Sequence, residues 1–213
     1  MASIQQAPDL YRNGDVQGTP TAIPGVVVVD LVVVPDGRGW ARTVFDLDDV
    51  ARLGLGADFA PTQWRTNFNE KPGVTRGIHA ELCNKFVSVS EGVVWCAVVD
   101  LRRGDTFGRT ELVTLFPGNA VFIPRGCGNS YQTQTPGAHY GYVNDRPLRE
   151  PATLRVNLAD PALAIPWPIA LDEAVVLPED RELPLLAEVT PLDLAATPGS
   201  AGRQPASTTK EHR

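Results

Sequence analysis

The 213-residue chain is poor in the side chains that most often carry chemistry: three histidines, three cysteines and one methionine. Only His79 and His139 lie outside the polar C-terminal end, and there is no His-x-His pair. A three-ligand catalytic metal site is therefore not expected, since such sites need three donors converging on one point. Cys83, Cys96 and Cys127 are odd in number and lack C-x-x-C spacing, which fits a reducing compartment better than a disulfide framework. Positive charge is not in excess: Lys plus Arg number 19 against 25 Asp plus Glu, a net charge of −6. That balance argues against a nucleic-acid surface, which needs clustered positive charge, but allows a small phosphorylated ligand held by two or three arginines. The longest apolar stretch, "VVVVDLVVV", is broken by Asp30 and falls far short of the roughly 20 residues of a membrane span. The N-terminus lacks the basic-then-apolar pattern of a signal peptide. A soluble cytoplasmic protein without membrane or nucleic-acid partners is expected. No glycine-rich phosphate loop occurs, because "GRG" at 37–39 is only a turn.

What is present points to β structure. A hydrophobic content of 43% suits one substantial core. Polar, turn-rich residues 1–22 read as a flexible N-terminal segment, 23–189 as a single domain, and 190–213 as a disordered tail holding His212. Short runs such as "KFVSVS", "VVWCAVVDL", "TELVTLF", "AVFIP" and "AHYGYVN" are rich in β-branched residues and are punctuated by Gly and Pro. That spacing predicts an all-β sandwich or barrel, with a short helix within 42–55. No long segment of 3.6-residue period precedes residue 160, which excludes a doubly wound α/β fold. The proline-rich segment "LADPALAIPWPIALDEAVVLPEDRELPLL" must lie over the sandwich as an irregular cover, because Leu163, Ile165, Trp167 and Val175 need burial.

The stretch "GVTRGIHAELCNKF", 73–86, holds the one histidine most open to a chemical role. His79 is either a base beside an anion site or an ordinary hydrogen-bonded residue of a strand. In a regular strand from Val74, Arg76 and Ile78 share one face and His79 takes the other. Joint action of Arg76 and His79 then requires a bulge or strong curvature. His139 falls on the face opposite Tyr142 and reads as structural.

Several motifs in series carry a resemblance. "DGRG" (36–39), "GVTRGIH" (73–79), the lysine strand "NKFVSVSEG", "VVDLRRGDTFGR" (98–109), "IPRGCGNSY" (123–131), "AHYGYVN" (138–144), "DPALAIPWP" (160–168) and "PEDRELP" (178–184) together resemble the dTDP-4-dehydrorhamnose 3,5-epimerase family. These are cofactor-free sugar-nucleotide epimerases with a cupin-type jelly roll, and the likeness spans about residues 25–186.

The resemblance implies a fold and a site. The fold is an all-β cupin-type jelly-roll sandwich with short helical and irregular C-terminal cover. His79 matches the family's base and Asp180 the aspartate that orients it. Tyr142 matches the tyrosine that returns a proton to the opposite face, and Lys85 the lysine near the enolate oxygen. Arg38 and Arg76 match arginines that approach the pyrophosphate and the sugar; Asn67, in "WRTNFN", matches a nucleotide contact. The implied substrate is a dTDP-4-keto-6-deoxy sugar, with no cofactor and no metal. The implied assembly is a homodimer, to which the valine-rich segment 26–34 would offer an edge strand.

Three departures stand out. Asn129 replaces a family histidine, Leu148 replaces a tyrosine, and Arg65 and Asn69 replace the Gln and Ser of the nucleotide-contacting motif. Asparagine can bond a sugar oxygen but cannot carry a proton's charge. The expectation is an epimerase inverting C3, C5 or both, with scope narrowed to one centre, supplying deoxysugars to secondary metabolism. Two other readings stay open: a repurposed cupin enzyme acting on another carbonyl substrate, and a non-catalytic ligand-binding jelly roll.

Overall fold

Valine dominates the first strands, and β-branched side chains favour extended backbone because they pack well on a pleated surface. In the computed structural model, which describes residues 14–148 and 152–195, that preference resolves into 14 strands. In chain order these begin with β1 (Gln17–Pro20), β2 (Val27–Asp30), β3 (Val33–Pro35) and β4 (Trp40–Arg42). The helix α1 (Leu47–Arg52) follows, capped by the Asp46 side chain, which accepts from the Asp48 amide at 2.8 Å. Next come β5 (Gln63–Asn69), β6 (Val74–Ala80), β7 (Lys85–Glu91), β8 (Val94–Asp100), β9 (Thr110–Leu115) and β10 (Asn119–Ile123). The chain continues through β11 (Cys127–Thr133), β12 (Ala138–Asn144), β13 (Leu154–Val156), β14 (Val175–Val176) and the one-turn helix α2 (Pro178–Arg181).

Two sheets face each other. One runs β1-β2-β10-β7-β12-β5; the other runs β13-β6-β11-β8-β9, with β14 added in parallel to β6. From β5 to β8 and from β9 to β13 successive strands alternate between the two sheets, as in the expected cupin-type jelly roll. Period-two alternation places Val87, Val89 and Tyr140 of one sheet against Val94, Cys96, Val98 and Tyr131 of the other in the central core. Phe86, Ala120 and Phe122 point outward instead and are covered by Val50, Leu55 and Phe59. The C-terminal segment covers the second sheet: Leu158, Leu163, Ile165 and Trp167 pack on Ile78, Val99 and Leu101. The Trp167 indole N–H, which needs a partner once buried, donates to the Leu158 carbonyl at 3.0 Å.

Four expectations are corrected. Strand β1 lies within the supposedly flexible residues 1–22. Leu192, within the supposed tail, exchanges backbone bonds with Leu101 and Arg103, so ordered chain continues past 189. Strand β2, in the valine-rich segment 26–34, is paired on both sides, by β1 and β10, and is no free edge. Val175 is exposed rather than buried, because the parallel bond to β6 satisfies its backbone while its side chain points outward. His212 lies outside the described residues.

Candidate active site

The open end of the sandwich holds a cavity lined from both sheets, with His79, Lys85 and Tyr142 on its walls. The expected conflict over Arg76 and His79 is resolved by a bulge. Against β11, Tyr131 pairs with Arg76 and Asn129 pairs with His79, so three steps on β6 match two on β11. One extra residue in a strand reverses the facing of all that follow, which puts Arg76 and His79 on the same cavity. Ile78, inside the bulge, turns outward into the core beneath the C-terminal cover.

The bulge also admits Asp180. This residue sits on α2, behind the strand, and its side chain is 5% exposed. Gly77 leaves the gap: a Cβ there would run into both the Asp180 carboxylate and the His79 ring. Through that gap Asp180 Oδ1 lies 2.8 Å from His79 Nε2, while Oδ2 accepts the Gly77 amide at 3.0 Å. A carboxylate only accepts, so an ionised Asp180 places a proton on His79 Nε2 and leaves Nδ1 as the nitrogen outside this contact. Helix α2 is itself held: Asn157 Nδ2 donates to the carbonyls of Arg181 and Leu183, at 3.0 and 2.9 Å.

Three tyrosines reach the cavity, and their hydroxyls differ. Tyr131 OH receives Arg76 Nε at 2.7 Å and donates to Asn69 Oδ1 at 3.2 Å. Tyr140 OH receives Asn129 Nδ2 at 3.0 Å, with the Cys96 sulfur 3.8 Å away. Burial raises the pKa of both phenols above the ordinary value, which favours the protonated form of each. Tyr142 alone of the three has no hydrogen-bond partner for its hydroxyl among the described residues; its ring meets Tyr140 edge-on at 6.2 Å.

Lys85 is buried, 5% exposed at its side chain, and reaches the same cavity. Its ammonium donates to Asn129 Oδ1 at 2.8 Å and pairs with Glu81. Asn129, which stands where the resemblance expects histidine, is thus fixed in orientation: oxygen to Lys85, nitrogen to Tyr140. Asn67 and Leu148 complete the rim.

Two sequence-assigned binding residues are not brought in. Arg38 lies on the turn between β3 and β4, 89% exposed and ion-paired with Asp36 at 2.5 Å, and does not line the cavity of its own chain. The turn's two-residue reach couples it to Asp36 instead. Arg65 stands opposite Tyr142 in register but is exposed and outside the lining. Conversely, Glu81, Tyr131 and Tyr140 belong to the cavity and went unassigned from sequence. The period-two rule on "AHYGYVN" would have put Tyr140 beside Tyr142; nothing in the spacing marks Glu81.

The thiols of Cys83, Cys96 and Cys127 are each pushed up to about 12 by burial, which makes them poor nucleophiles. Among the described residues no three His, Cys, Asp or Glu side chains cluster closely enough to hold a metal ion. No described helix is long and apolar enough to cross a membrane.

The family model for dTDP-4-dehydrorhamnose 3,5-epimerase matches residues 20–188. The chain is 36% identical over 177 residues to the protein RmlC homolog of Streptococcus pyogenes serotype M6, covering 80% of this chain and 89% of the relative. It is 30% identical over 185 residues to the dTDP-4-dehydro-6-deoxyglucose 3-epimerase of Streptomyces bikiniensis, covering 84% and 93%. Among solved structures, RmlC from Streptococcus suis in complex with dTDP-D-xylose superposes with a TM-score of 0.79 at 33% identity, covering 87% of this chain and 98% of that one.

Proposed function

This chain belongs to the dTDP-4-dehydrorhamnose 3,5-epimerase family, and from that premise we propose that it inverts C3, C5 or both of a dTDP-4-keto-6-deoxyhexose by proton removal and return. It is a sugar-nucleotide epimerase. The observation that carries the mechanism is the His79–Asp180 contact through the gap at Gly77. His79 Nδ1 takes the proton from the carbon beside the 4-keto group. Asp180 holds the tautomer and steadies the imidazolium that forms. The carbon's bonding pair moves into an enolate, whose oxygen meets the buried Lys85 ammonium. Tyr142, with its uncommitted hydroxyl, delivers a proton to the opposite face. The sugar's redox state is unchanged, so the chemistry needs no cofactor.

Arg76 and Asn67 on the rim suit the polar, anionic end of the substrate, since a guanidinium matches phosphate oxygens. Arg38 and Arg65 are assigned to the nucleotide within a homodimer, in which exposed side chains of one chain reach the other's cavity. Trp64 and Phe68 support that assembly: they stand 71% and 56% exposed on one face of the edge strand β5. Sedimentation at twice the 23.0 kDa chain mass would establish the dimer; a monomer at micromolar concentration would exclude it.

Inversion at a single centre is the narrower reading, favoured by the un-ionisable Asn129 and by Leu148 where aromatic residues are expected. It suits deoxysugar supply to secondary metabolism in the cytoplasm. Incubation with dTDP-4-keto-6-deoxyglucose in deuterated water, followed by NMR at C3 and C5, tests the proposal. Exchange at one carbon that vanishes in His79→Ala supports it and names the centre. Exchange at neither carbon with nucleotide bound, or no binding at all, would favour a cupin enzyme acting on another carbonyl compound.

A further inference from the structure

We propose that Glu81 is a positioning residue for the epimerisation: it holds Lys85 as an ammonium ion between itself and Asn129, leaving one N–H to meet the oxygen on which enolate charge develops. This rests on the epimerase reading above and extends it to a carboxylate that reading leaves idle.

Glu81 follows β6 directly, two residues after the base, and its backbone is pinned where the Gly126 amide donates to its carbonyl at 3.0 Å. Its side chain is 17% exposed and lines the cavity. Lys85 enters from β7 in the opposite sheet, so the pair ties the two walls together at the reacting end. A cation cut off from water needs a fixed counter-charge and full hydrogen bonding. An ammonium has three donors. Glu81 takes one and Asn129 Oδ1 a second at 2.8 Å. Asn129 cannot rotate away without losing its own 2.8 Å contact and its 3.0 Å bond to Tyr140. The third donor has no acceptor among the described residues and lies on the cavity wall.

When His79 takes the carbon-bound proton, the C–H bond breaks, an N–H bond forms on the imidazole, and the electron pair shifts to the carbonyl oxygen. The third Lys85 N–H donates a hydrogen bond to that oxygen. No proton leaves Lys85, and Glu81 never touches substrate. Glu81 therefore acts on the barrier through the placement of Lys85, with little influence on substrate affinity. A purely structural role would instead reduce the folded fraction and leave turnover per folded molecule unchanged.

The test compares Glu81→Ala and Glu81→Gln with the native enzyme, using dTDP-4-keto-6-deoxyglucose in deuterated water and His79→Asn as control. Folded protein is counted by thermal unfolding. The expected result is a kcat lowered about 100-fold per folded molecule in Glu81→Ala, with KM within about three-fold. Glu81→Gln keeps an acceptor in the same place and restores at least about ten-fold of that loss. A second readout needs no turnover. The chain has only three lysines, Lys71, Lys85 and Lys210, so side-chain 15N labelling resolves each ammonium. The slowly exchanging Lys85 signal expected of the native protein should vanish in Glu81→Ala. Native-like kcat, or an unchanged Lys85 signal, in folded Glu81→Ala overturns the inference while the exchange lost in His79→Asn still upholds the epimerase reading. A native enzyme that exchanges neither C3 nor C5 overturns the epimerase reading and, with it, the catalytic part of this one.

Discussion

Arg76 and His79 stand three residues apart on one strand and face the same cavity, which a regular strand forbids. The bulge between them makes a single strand supply both the proposed base and the proposed anion-binding side chain. Gly77 lies inside that bulge and has an ordinary negative φ, so glycine is required there for volume rather than for backbone dihedral. Gly77→Ala should fold, because the clash involves side-chain tips, but it should drive Asp180 away from His79. A loss of roughly a hundred-fold in kcat with little change in thermal stability is expected. Deuterium exchange and a thermal melt on the same sample check both halves; full activity in the variant would mean that Asp180 does not act through His79.

Asp180→Asn probes the tautomer directly. The amide fits the same space but has an NH2 group that can donate to Nε2, which would move the ring proton to Nδ1 and remove the lone pair facing the cavity. Turnover should fall on the order of a thousand-fold. Nucleotide affinity should be unchanged, because the aspartate lies behind the strand and outside the cavity lining. Titration calorimetry with dTDP beside a rate assay separates the two effects.

Tyr142→Phe should uncouple two events that the native enzyme joins. The base is intact, so C–H exchange with solvent continues from the His79 side. Return of a proton to the opposite face fails, so inverted product falls by at least about a hundred-fold. Following exchange and inversion in one NMR time course distinguishes this from simple loss of binding, in which both decline together. Equal loss of both would reassign the acid.

Most of the sandwich was legible because valine-rich alternation and Gly/Pro punctuation are local signals. The strands of "KFVSVS", "AVFIP" and "AHYGYVN" fall where those signals put them. His79 and Asp180, 101 residues apart, are brought together by packing of α2 on a bulge, and no periodicity announces that; only the motif resemblance did. Glu81 was missed because a carboxylate after a strand looks solvated until the lysine of the facing sheet is seen beside it. Arg38 was legible as a turn residue, and its place outside its own chain's cavity follows from the local Asp36 pairing that a short turn favours.

Asp100 ties the end of β8 to the loop that follows it and sets an acid limit on stability. It is 1% exposed, gripped through both oxygens by Arg102 at 2.8 and 2.7 Å, and bonded by Thr106 at 2.7 Å. Burial alone would raise its pKa, but the bonds from Arg102 and Thr106 outweigh burial and hold the carboxyl below its ordinary value. A depressed folded value means that the stabilisation is fully present above the unfolded carboxylate pKa of about 3.9 and is lost as pH falls through the folded value. Arg102→Ala leaves a buried carboxylate short of its counter-charge. It should cost about 3 kcal/mol at neutral pH, toward the lower end for a broken buried pair because Thr106 and a backbone N–H remain. With burial then dominant, the variant's carboxyl should protonate at higher pH, so its stability at neutral pH is low and depends less steeply on acid below about pH 4. Urea unfolding from about pH 7 to pH 3 measures both. Parallel native and variant curves would mean that Arg102 contributes packing rather than charge.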